Sequence, residues 1–163
     1  MGLSGPNVSS WAVWSFITVL GFTSYRELTN SWLKSLLPTV NSLLCIITTI
    51  VVIKSGSFRT IGAVDLICLG IGIFAGLCWW KYRSAGIANI LVNAAVSVGF
   101  IPTLIGVTRN PSGEPWVCWS LWTAAFIIQF LTVKLSGKKK PIEFLYPISM
   151  AIFHGAVFVL ALW

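Results

Sequence analysis

Six apolar stretches occupy most of this chain, and each approaches the length of a membrane-spanning helix. They are residues 11–25, 35–53, 61–80, 85–107, 116–133 and 146–163. A helix needs about 20 mainly apolar residues to cross the hydrocarbon core of a bilayer. Continuous runs of this kind differ from barrel strands, which alternate apolar and polar residues over about 10 positions. The sequence therefore predicts an all-α integral membrane protein with six transmembrane helices, of which the first stretch is the shortest.

The connections between these stretches leave no room for a soluble catalytic domain. Charged residues make up only 9% of the chain, against about 25% in an ordinary soluble domain. The sequence contains no Ser-His-Asp set, HExxH, P-loop or GxGxxG motif, and its 4 acidic residues are too few for paired-carboxylate catalysis or a carboxylate-rich metal site. We therefore expect that the chain is not an enzyme and has no catalytic residues, metal or cofactor.

The positive charge is placed where a membrane protein places it. The net charge is +7, and its one cluster, Lys138, Lys139 and Lys140, lies between two apolar stretches. Such a cluster indicates membrane topology and contact with anionic lipid headgroups rather than nucleic acid binding. Lys and Arg are most numerous in the connections that follow the first, third and fifth stretches, and basic connections stay in the cytoplasm. This predicts a multi-pass protein with both termini on the non-cytoplasmic side.

A Pro-x4-Trp-x2-Trp spacing occurs twice in the chain. Its copies are Pro6, Trp11 and Trp14, and then Pro111, Trp116 and Trp119. The next apolar stretch carries an early proline in each case, Pro38 and Pro147. Repeated hydrophobic segments are typical of transporter folds, although shared Trp and Pro composition is the alternative explanation. The correspondence pairs the first two stretches with the last two, so that a counterpart of the fourth stretch is missing before the first.

We therefore predict three parts in the chain. Residues 1–59 form an incomplete first bundle of two helices, residues 60–84 a linker helix, and residues 85–163 a second triple-helix bundle. A bundle without its first helix would turn Asn41 toward lipid, where an exposed polar group is unfavourable. We expect a homo-oligomer or a partner membrane chain to cover that face.

The segment that runs from the fourth stretch into the fifth resembles a known family. The residues concerned are Pro102-Thr103, Arg109, Ser112, Glu114 and Leu121-Trp122. They are similar to the SWEET and PQ-loop superfamily, in which a bundle helix ends in Pro-Gln or Pro-Thr and is followed by a basic residue, a Ser-x-Glu-like turn and a second helix. The resemblance implies two triple-helix bundles joined by a linker helix. It also implies transport of a small polar solute by alternating access.

Polar side chains inside the apolar stretches are the candidates for contact with that solute, because polar groups within a bilayer are rare and functional. Asn89, Asn93 and Ser97 recur every four residues and so share one face of a helix. Asn41 in the second stretch is the other candidate, since the resemblance implies an inward-facing Asn on a bundle helix. The alternative for all four is hydrogen bonding between closely packed helices.

Two tryptophans and the single histidine complete the predicted solute site. Trp14 and Trp119 are equivalent under the repeat, would face each other, and could stack on a flat or sugar-like ligand. The alternative is the aromatic belt at the membrane interface. His154 is a candidate for proton coupling because its charge can change near neutral pH. Its alternative is an interior hydrogen-bonded histidine with Gln129 as the partner.

Three prolines are the predicted hinges. Pro38, Pro102 and Pro147 each interrupt helical hydrogen bonding within or near an apolar stretch, and static kinks are the alternative. The sequence thus favours a small-solute transporter in which two helical bundles rock about a midplane site. The alternative function is a non-transporting membrane subunit or scaffold of an oligomeric complex, in which Gly72 and Gly76 would permit close helix packing.

Overall fold

The computed structural model describes residues 8–55 and 61–163, and within these it contains helices and no strand. The long helices are α1 (Val8–Thr29), α2 (Trp32–Lys54), α3 (Ala63–Tyr82), α4 (Ala85–Arg109), α5 (Trp116–Leu135) and α6 (Leu145–Leu160). Single-turn 3₁₀ helices at Pro111–Gly113 and Pro141–Phe144 precede α5 and α6. Pro6 of the first repeat copy lies outside the described residues.

Five helical segments are long and apolar enough to cross a membrane. They are α2, α3, α4, α5 and the segment Pro141–Leu160, which joins the second 3₁₀ turn to α6. The predicted all-α multi-pass membrane class is therefore confirmed. Helix α1 has 22 residues, which gives about 33 Å at 1.5 Å per residue, but it is not among the five. The six-span count and the side on which the termini lie stay predictions.

Two tight links between helices explain why the chain folds into hairpins. Ser31 and Ser84 begin α2 and α4, and each hydroxyl accepts a backbone N–H of the first turn at 3.4 Å, as is usual for an N-cap serine. Asn30 and Arg83 come just before these caps with positive φ angles of 46° and 52°. The chain therefore reverses within two residues, and α1–α2 and α3–α4 are antiparallel hairpins.

The six long helices pack as a ring with one outer member. Helix α1 contacts α2, α3 and α4, helix α4 contacts α3 and α6, and helix α5 contacts α2 and α6. Helices α5 and α6 form a third antiparallel hairpin. Helices α1, α2, α5, α6 and α4 therefore follow one another around a closed ring, and α3 lies outside it against α1 and α4. Gly72 permits this close packing, because a Cβ there would lie 3.1 Å from the Phe16 ring of α1. A Cβ on Gly76 would likewise lie 4.0 Å from Leu20 of α1, so these glycines pack helices within one chain.

The two ends of the helix bundle have different contents, and we name them accordingly. The pocket end holds the first residues of α1, α3 and α5 and the last residues of α2, α4 and α6. There, Thr49 of α2 donates a hydrogen bond to the carbonyl oxygen of Trp11 in α1 at 2.9 Å. At the opposite end, which we call the ion-pair end, Lys34 of α2 contacts Glu143 just before α6.

Candidate functional site

A buried ion pair joins α2 to the 3₁₀ turn before α6. Lys34 Nζ lies 2.6 Å from Glu143 Oε2, and the two side chains are only 5% and 3% exposed. Lys34 Nζ also donates to the carbonyl oxygen of Lys138 at 2.6 Å. The charge pattern assigns Lys34 to the connection after the first apolar stretch, whereas in the structure it lies inside α2 and is buried. A charge within a membrane protein is stable in the interior only when an opposite charge and hydrogen bonds surround it, and here Glu143 provides them.

Proline leaves a backbone carbonyl without its usual donor on α2. Pro38 has no N–H, so the carbonyl oxygen of Lys34, four residues earlier, cannot accept a helical hydrogen bond. Gln129 of α5 replaces the missing donor, because its Nε2 lies 3.1 Å from the Lys34 carbonyl oxygen. A side chain of the α5–α6 hairpin thus satisfies the backbone of the α1–α2 hairpin.

A lost donor is also replaced on α6, with the roles of the two hairpins interchanged. Pro147 has no N–H for the carbonyl oxygen of Glu143, also four residues earlier. Tyr25 of α1 donates its hydroxyl hydrogen to that oxygen at 2.8 Å. Each hairpin therefore supplies the donor that the proline of the other hairpin removes, in a membrane where unsatisfied backbone groups are expensive. We call Tyr25, Lys34, Gln129 and Glu143 the ion-pair layer.

The predicted polar face of α4 is packed against α6. Asn89 and Asn93 are 0% and 4% exposed. Asn93 Nδ2 donates to the Asn89 carbonyl oxygen at 2.8 Å, and Ser97 Oγ donates to the Asn93 carbonyl oxygen at 2.8 Å. Ser149 of α6 donates to Asn93 Oδ1, also at 2.8 Å. These residues share one face as predicted, and their contacts are hydrogen bonds within α4 and between helices.

Asn41, which was predicted to face lipid, is only partly exposed. It is half-buried, and its side chain lies near the Tyr146 side chain on α6. Helix α6 of the same chain therefore shields part of Asn41 from lipid. The expected partner chain or second copy at this face stays a prediction.

The two predicted tryptophans lie on either side of one phenylalanine. The ring centroid of Phe100 on α4 is 5.9 Å from that of Trp14 and 6.2 Å from that of Trp119. Trp119 is fixed further by Glu114, whose Oε2 accepts its Nε1–H at 2.9 Å. Trp14 packs tightly on α4, because a Cβ on Gly99 would lie 2.7 Å from Trp14 Cζ2. Phe100, and not a cavity, separates the two indoles.

His154 lies in a cluster of aromatic rings. Its ring centroid is 4.9 Å from Phe100, 5.4 Å from Trp119, 5.9 Å from Trp122 and 4.9 Å from Phe126. Its Nδ1 lies 2.8 Å from the carbonyl oxygen of Met150, and since a carbonyl only accepts, Nδ1 carries the hydrogen. Gln129 is not its partner, because the Gln129 amide points to the ion-pair layer. Proton coupling at His154 stays a prediction.

A pocket of about 410 Å³ lies at the pocket end between α1, α3 and α4. We call it the α1–α3–α4 pocket. Its polar wall is formed by Ser10, Asp65 and Thr103, and Trp14 contributes an indole. The other lining residues that the structure describes are apolar or glycine, and Pro102 is among them. Of the residues predicted to bind solute, only Trp14 lines this pocket, so the predicted Asn residues and the pocket belong to different regions.

Asp65 holds the start of α3 with one of its two carboxylate oxygens. Asp65 Oδ2 accepts the Ser10 hydroxyl at 2.8 Å and the Gly62 backbone N–H at 3.2 Å. Asp65 is not among the residues that the sequence predicts to bind solute. Its position four residues inside an apolar stretch was the signal that could have marked it as part of a site, because acidic residues in such stretches are rare.

The predicted hinge prolines are divided between the two ends. Pro38 and Pro147 are both less than 2% exposed and lie beside the ion-pair layer, whereas Pro102 lines the α1–α3–α4 pocket. Each end of the bundle therefore contains at least one proline at which a helix could bend. Whether these prolines bend during function stays a prediction.

The arrangement combines a small pocket at one end with a sealed, charged layer at the other. Comparisons of the chain with protein families, with characterised proteins and with solved structures find no match.

Proposed function

We propose that the protein is a small-solute transporter that works by alternating access, with the α1–α2 hairpin moving against the α5–α6 hairpin. The observation that carries this proposal is the difference between the two ends. A carrier that alternates has, in each of its end states, one end open to solute and the other sealed. The α1–α3–α4 pocket supplies the first feature, and the buried pair of Lys34 and Glu143 supplies the second.

The ion-pair layer has the properties of a gate. Its opening would separate Lys34 from Glu143 and would also break both exchanged hydrogen bonds, from Tyr25 and from Gln129. These contacts cross the same interface, so they form and break together and give two discrete states rather than a gradual change. Pro38 and Pro147 lie next to the broken contacts, where proline already interrupts the helical ladder.

A chain of ring contacts connects the pocket to the interior. Trp14 lines the pocket and contacts Phe100, and Phe100 contacts His154 in the aromatic cluster. In the proposed mechanism, solute that displaces Trp14 also displaces Phe100, which packs on α6 through His154. Helix α6 begins two residues after Glu143, so the movement reaches the gate.

The resemblance to the SWEET and PQ-loop superfamily points to the same class of function and remains part of the proposal. Reciprocal contacts of the two hairpins fit the predicted correspondence of Pro38 with Pro147. The scaffold alternative has less support, because Gly72 and Gly76 are used for packing α3 on α1 and α6 shields part of Asn41.

The proposal is tested without knowledge of the solute by reciprocal labelling. In a background that lacks Cys45, Cys68, Cys78 and Cys118, single cysteines are placed by Thr103→Cys in the pocket and Ser149→Cys beyond the gate. Adding Glu143→Gln weakens the gate, so labelling with a water-soluble maleimide should rise at position 149 and fall at position 103. The matched control is Glu27→Gln, which removes an exposed acid at the same end.

Two results would contradict alternating access. Labelling that is unchanged, or that rises at both positions, would indicate a loosened scaffold rather than two exclusive states. Uptake of choline, glucose and glutamate into proteoliposomes gives the direct measurement. We expect flux of at least one of them above that of empty liposomes, and the Glu143→Gln variant should alter it.

A further inference from the structure

The α1–α3–α4 pocket has an acidic wall. Asp65 lines it, and no Lys, Arg or His is among the described residues that form its lining. Both hydrogen bonds that Asp65 accepts from Ser10 and Gly62 go to Oδ2. Among the described residues, Oδ1 is therefore the carboxylate oxygen that remains for a ligand. An anionic solute would be repelled by this wall, and a cation would be attracted.

The remainder of the wall does not suit a sugar or another polyol. Each hydroxyl of a buried polyol needs a hydrogen-bond partner, or its desolvation is not compensated. The described part of the lining offers three polar side chains, Ser10, Asp65 and Thr103, and the Ser10 hydroxyl already donates to Asp65. Most of the other lining side chains are apolar. The ligand therefore has an apolar body and few hydrogen-bonding groups.

Trp14 adds a surface that favours positive charge. The face of an indole attracts a cation within about 6 Å of its centroid, most strongly when water is excluded. Trp14 is held in place by the edge-on contact with Phe100, with an interplanar angle of 85°, and by its close approach to Gly99. A fixed indole and a carboxylate in one small pocket form two sides of an ammonium site.

We infer that the α1–α3–α4 pocket binds a small organic cation, with an ammonium group near Asp65 and Trp14 and an apolar body along the remaining wall. The pocket volume of about 410 Å³ lies within the range of about 300–1,000 Å³ that small-molecule sites occupy. This inference rests on the proposed function only in naming the bound cation as the transported solute. Binding itself is independent of transport.

Binding is measured by isothermal titration with the full chain in lipid nanodiscs. The probes are choline and benzyltrimethylammonium, and 3,3-dimethylbutan-1-ol is the neutral control because it has the shape of choline without the charge. We expect the ammonium probes to bind and the neutral alcohol to bind at least about tenfold more weakly than choline, since the charge supplies the main attraction. Glucose should not compete.

The variants locate the site. Asp65→Asn should weaken choline binding about tenfold or more, and Trp14→Leu should weaken it severalfold, because desolvated cation contacts are stronger than exposed ones. Glu27→Gln removes an acid outside the pocket and should leave binding unchanged. Asp65 also holds the start of α3, so thermal unfolding is measured for each variant. If Asp65→Asn does not fold, the comparison of choline with its neutral isostere in the unaltered protein still decides the question.

The inference is overturned if neither ammonium probe binds, if the neutral alcohol binds as well as choline, or if glucose binds in preference. Its failure is distinguishable from failure of the proposed function. Choline binding without any flux would contradict transport and leave the cation site standing. Flux of glucose or glutamate in a protein that does not bind either ammonium probe would contradict the cation site and leave transport standing.

Discussion

The two ends of the bundle handle charge in opposite ways. At the ion-pair end, Lys34 and Glu143 pair with each other and lie in a closed layer. At the pocket end, Asp65 is half-buried and its described partners are a hydroxyl and a backbone N–H. A fully partnered charge closes a membrane protein, whereas a charge with neutral partners keeps an attraction for a ligand. The difference teaches that the partners of a carboxylate decide its role. Glu143 with a charged partner closes one end, whereas Asp65 with neutral partners can still attract a ligand at the other.

The comparison is tested most strongly by breaking the ion pair. Lys34→Met or Glu143→Leu alone should lower the unfolding free energy by about 3–5 kcal/mol, because each leaves one buried charge without its partner. The double replacement should recover most of that loss, since it removes both charges. Unfolding by SDS in mixed micelles measures the three variants. Additive losses in the double variant would show that the two side chains do not act as a pair.

Removal of one exchanged hydrogen bond should have a smaller effect. Tyr25→Phe leaves the Glu143 carbonyl oxygen without its hydroxyl donor, which should lower the unfolding free energy by about 1–3 kcal/mol, the usual effect of an unsatisfied buried acceptor. Gln129→Leu should do the same at Lys34. Thr132→Val on α5 is the control, because its hydroxyl bonds only to a carbonyl of its own helix and is exposed. Equal effects of all three would argue against a special role of the exchange.

A methyl group added to α4 at Gly99 tests how tightly the pocket end is packed. At Gly99 an added Cβ would lie 2.7 Å from Trp14 Cζ2, and overpacking of this kind destabilises by about 1–3 kcal/mol. Alanine also gains about 1 kcal/mol over glycine within a helix, so the net loss for Gly99→Ala should be about 0–2 kcal/mol. Gly106→Ala has no atom within 4 Å of its Cβ and should be stabilised by about 1 kcal/mol. If the two variants had equal stability, Trp14 would be free to move.

The smallest effect is expected for an exposed acid at the ion-pair end. Glu27 accepts the Trp79 Nε1–H at 2.9 Å in an exposed position. Glu27→Gln keeps an acceptor there, so the change in unfolding free energy should be below about 1 kcal/mol. The same SDS titration measures it beside Glu143→Leu. A loss as large as that of Glu143→Leu would show that position at this end, and not burial, determines the effect.

The extent of the helices could be predicted where apolar sequence and caps coincide. Predicted residues 85–107 and 116–133 differ from α4 (Ala85–Arg109) and α5 (Trp116–Leu135) by two residues, at one end of each. Ser84 marks the start of α4 as an N-cap. The predicted stretch at 11–25 was too short, because α1 continues through polar residues to Thr29. Packing against neighbouring helices extends a helix beyond its apolar run.

Less of the candidate functional site could be predicted from the sequence. The four-residue spacing of Asn89, Asn93 and Ser97 gave their common face correctly, because such periodicity is a property of one helix. Lys34 and Glu143 are 109 residues apart. No sequence pattern in either segment indicates that these two residues form a pair. Pairing across helices depends on how the hairpins pack, and that is a property of the assembled bundle.

The exchange of donors across the prolines has a consequence for biosynthesis. When the α1–α2 hairpin first enters the bilayer, the Lys34 carbonyl lacks Gln129 and the Lys34 ammonium lacks Glu143, which is encoded 109 residues later. At about 5–20 residues per second, the ribosome needs about 5–20 s to supply these partners. We therefore expect the first hairpin to keep Lys34 at the insertion machinery or at the headgroup surface until Gln129 and Glu143 have been made. Maturation of the first half of the chain would then depend on synthesis of the last.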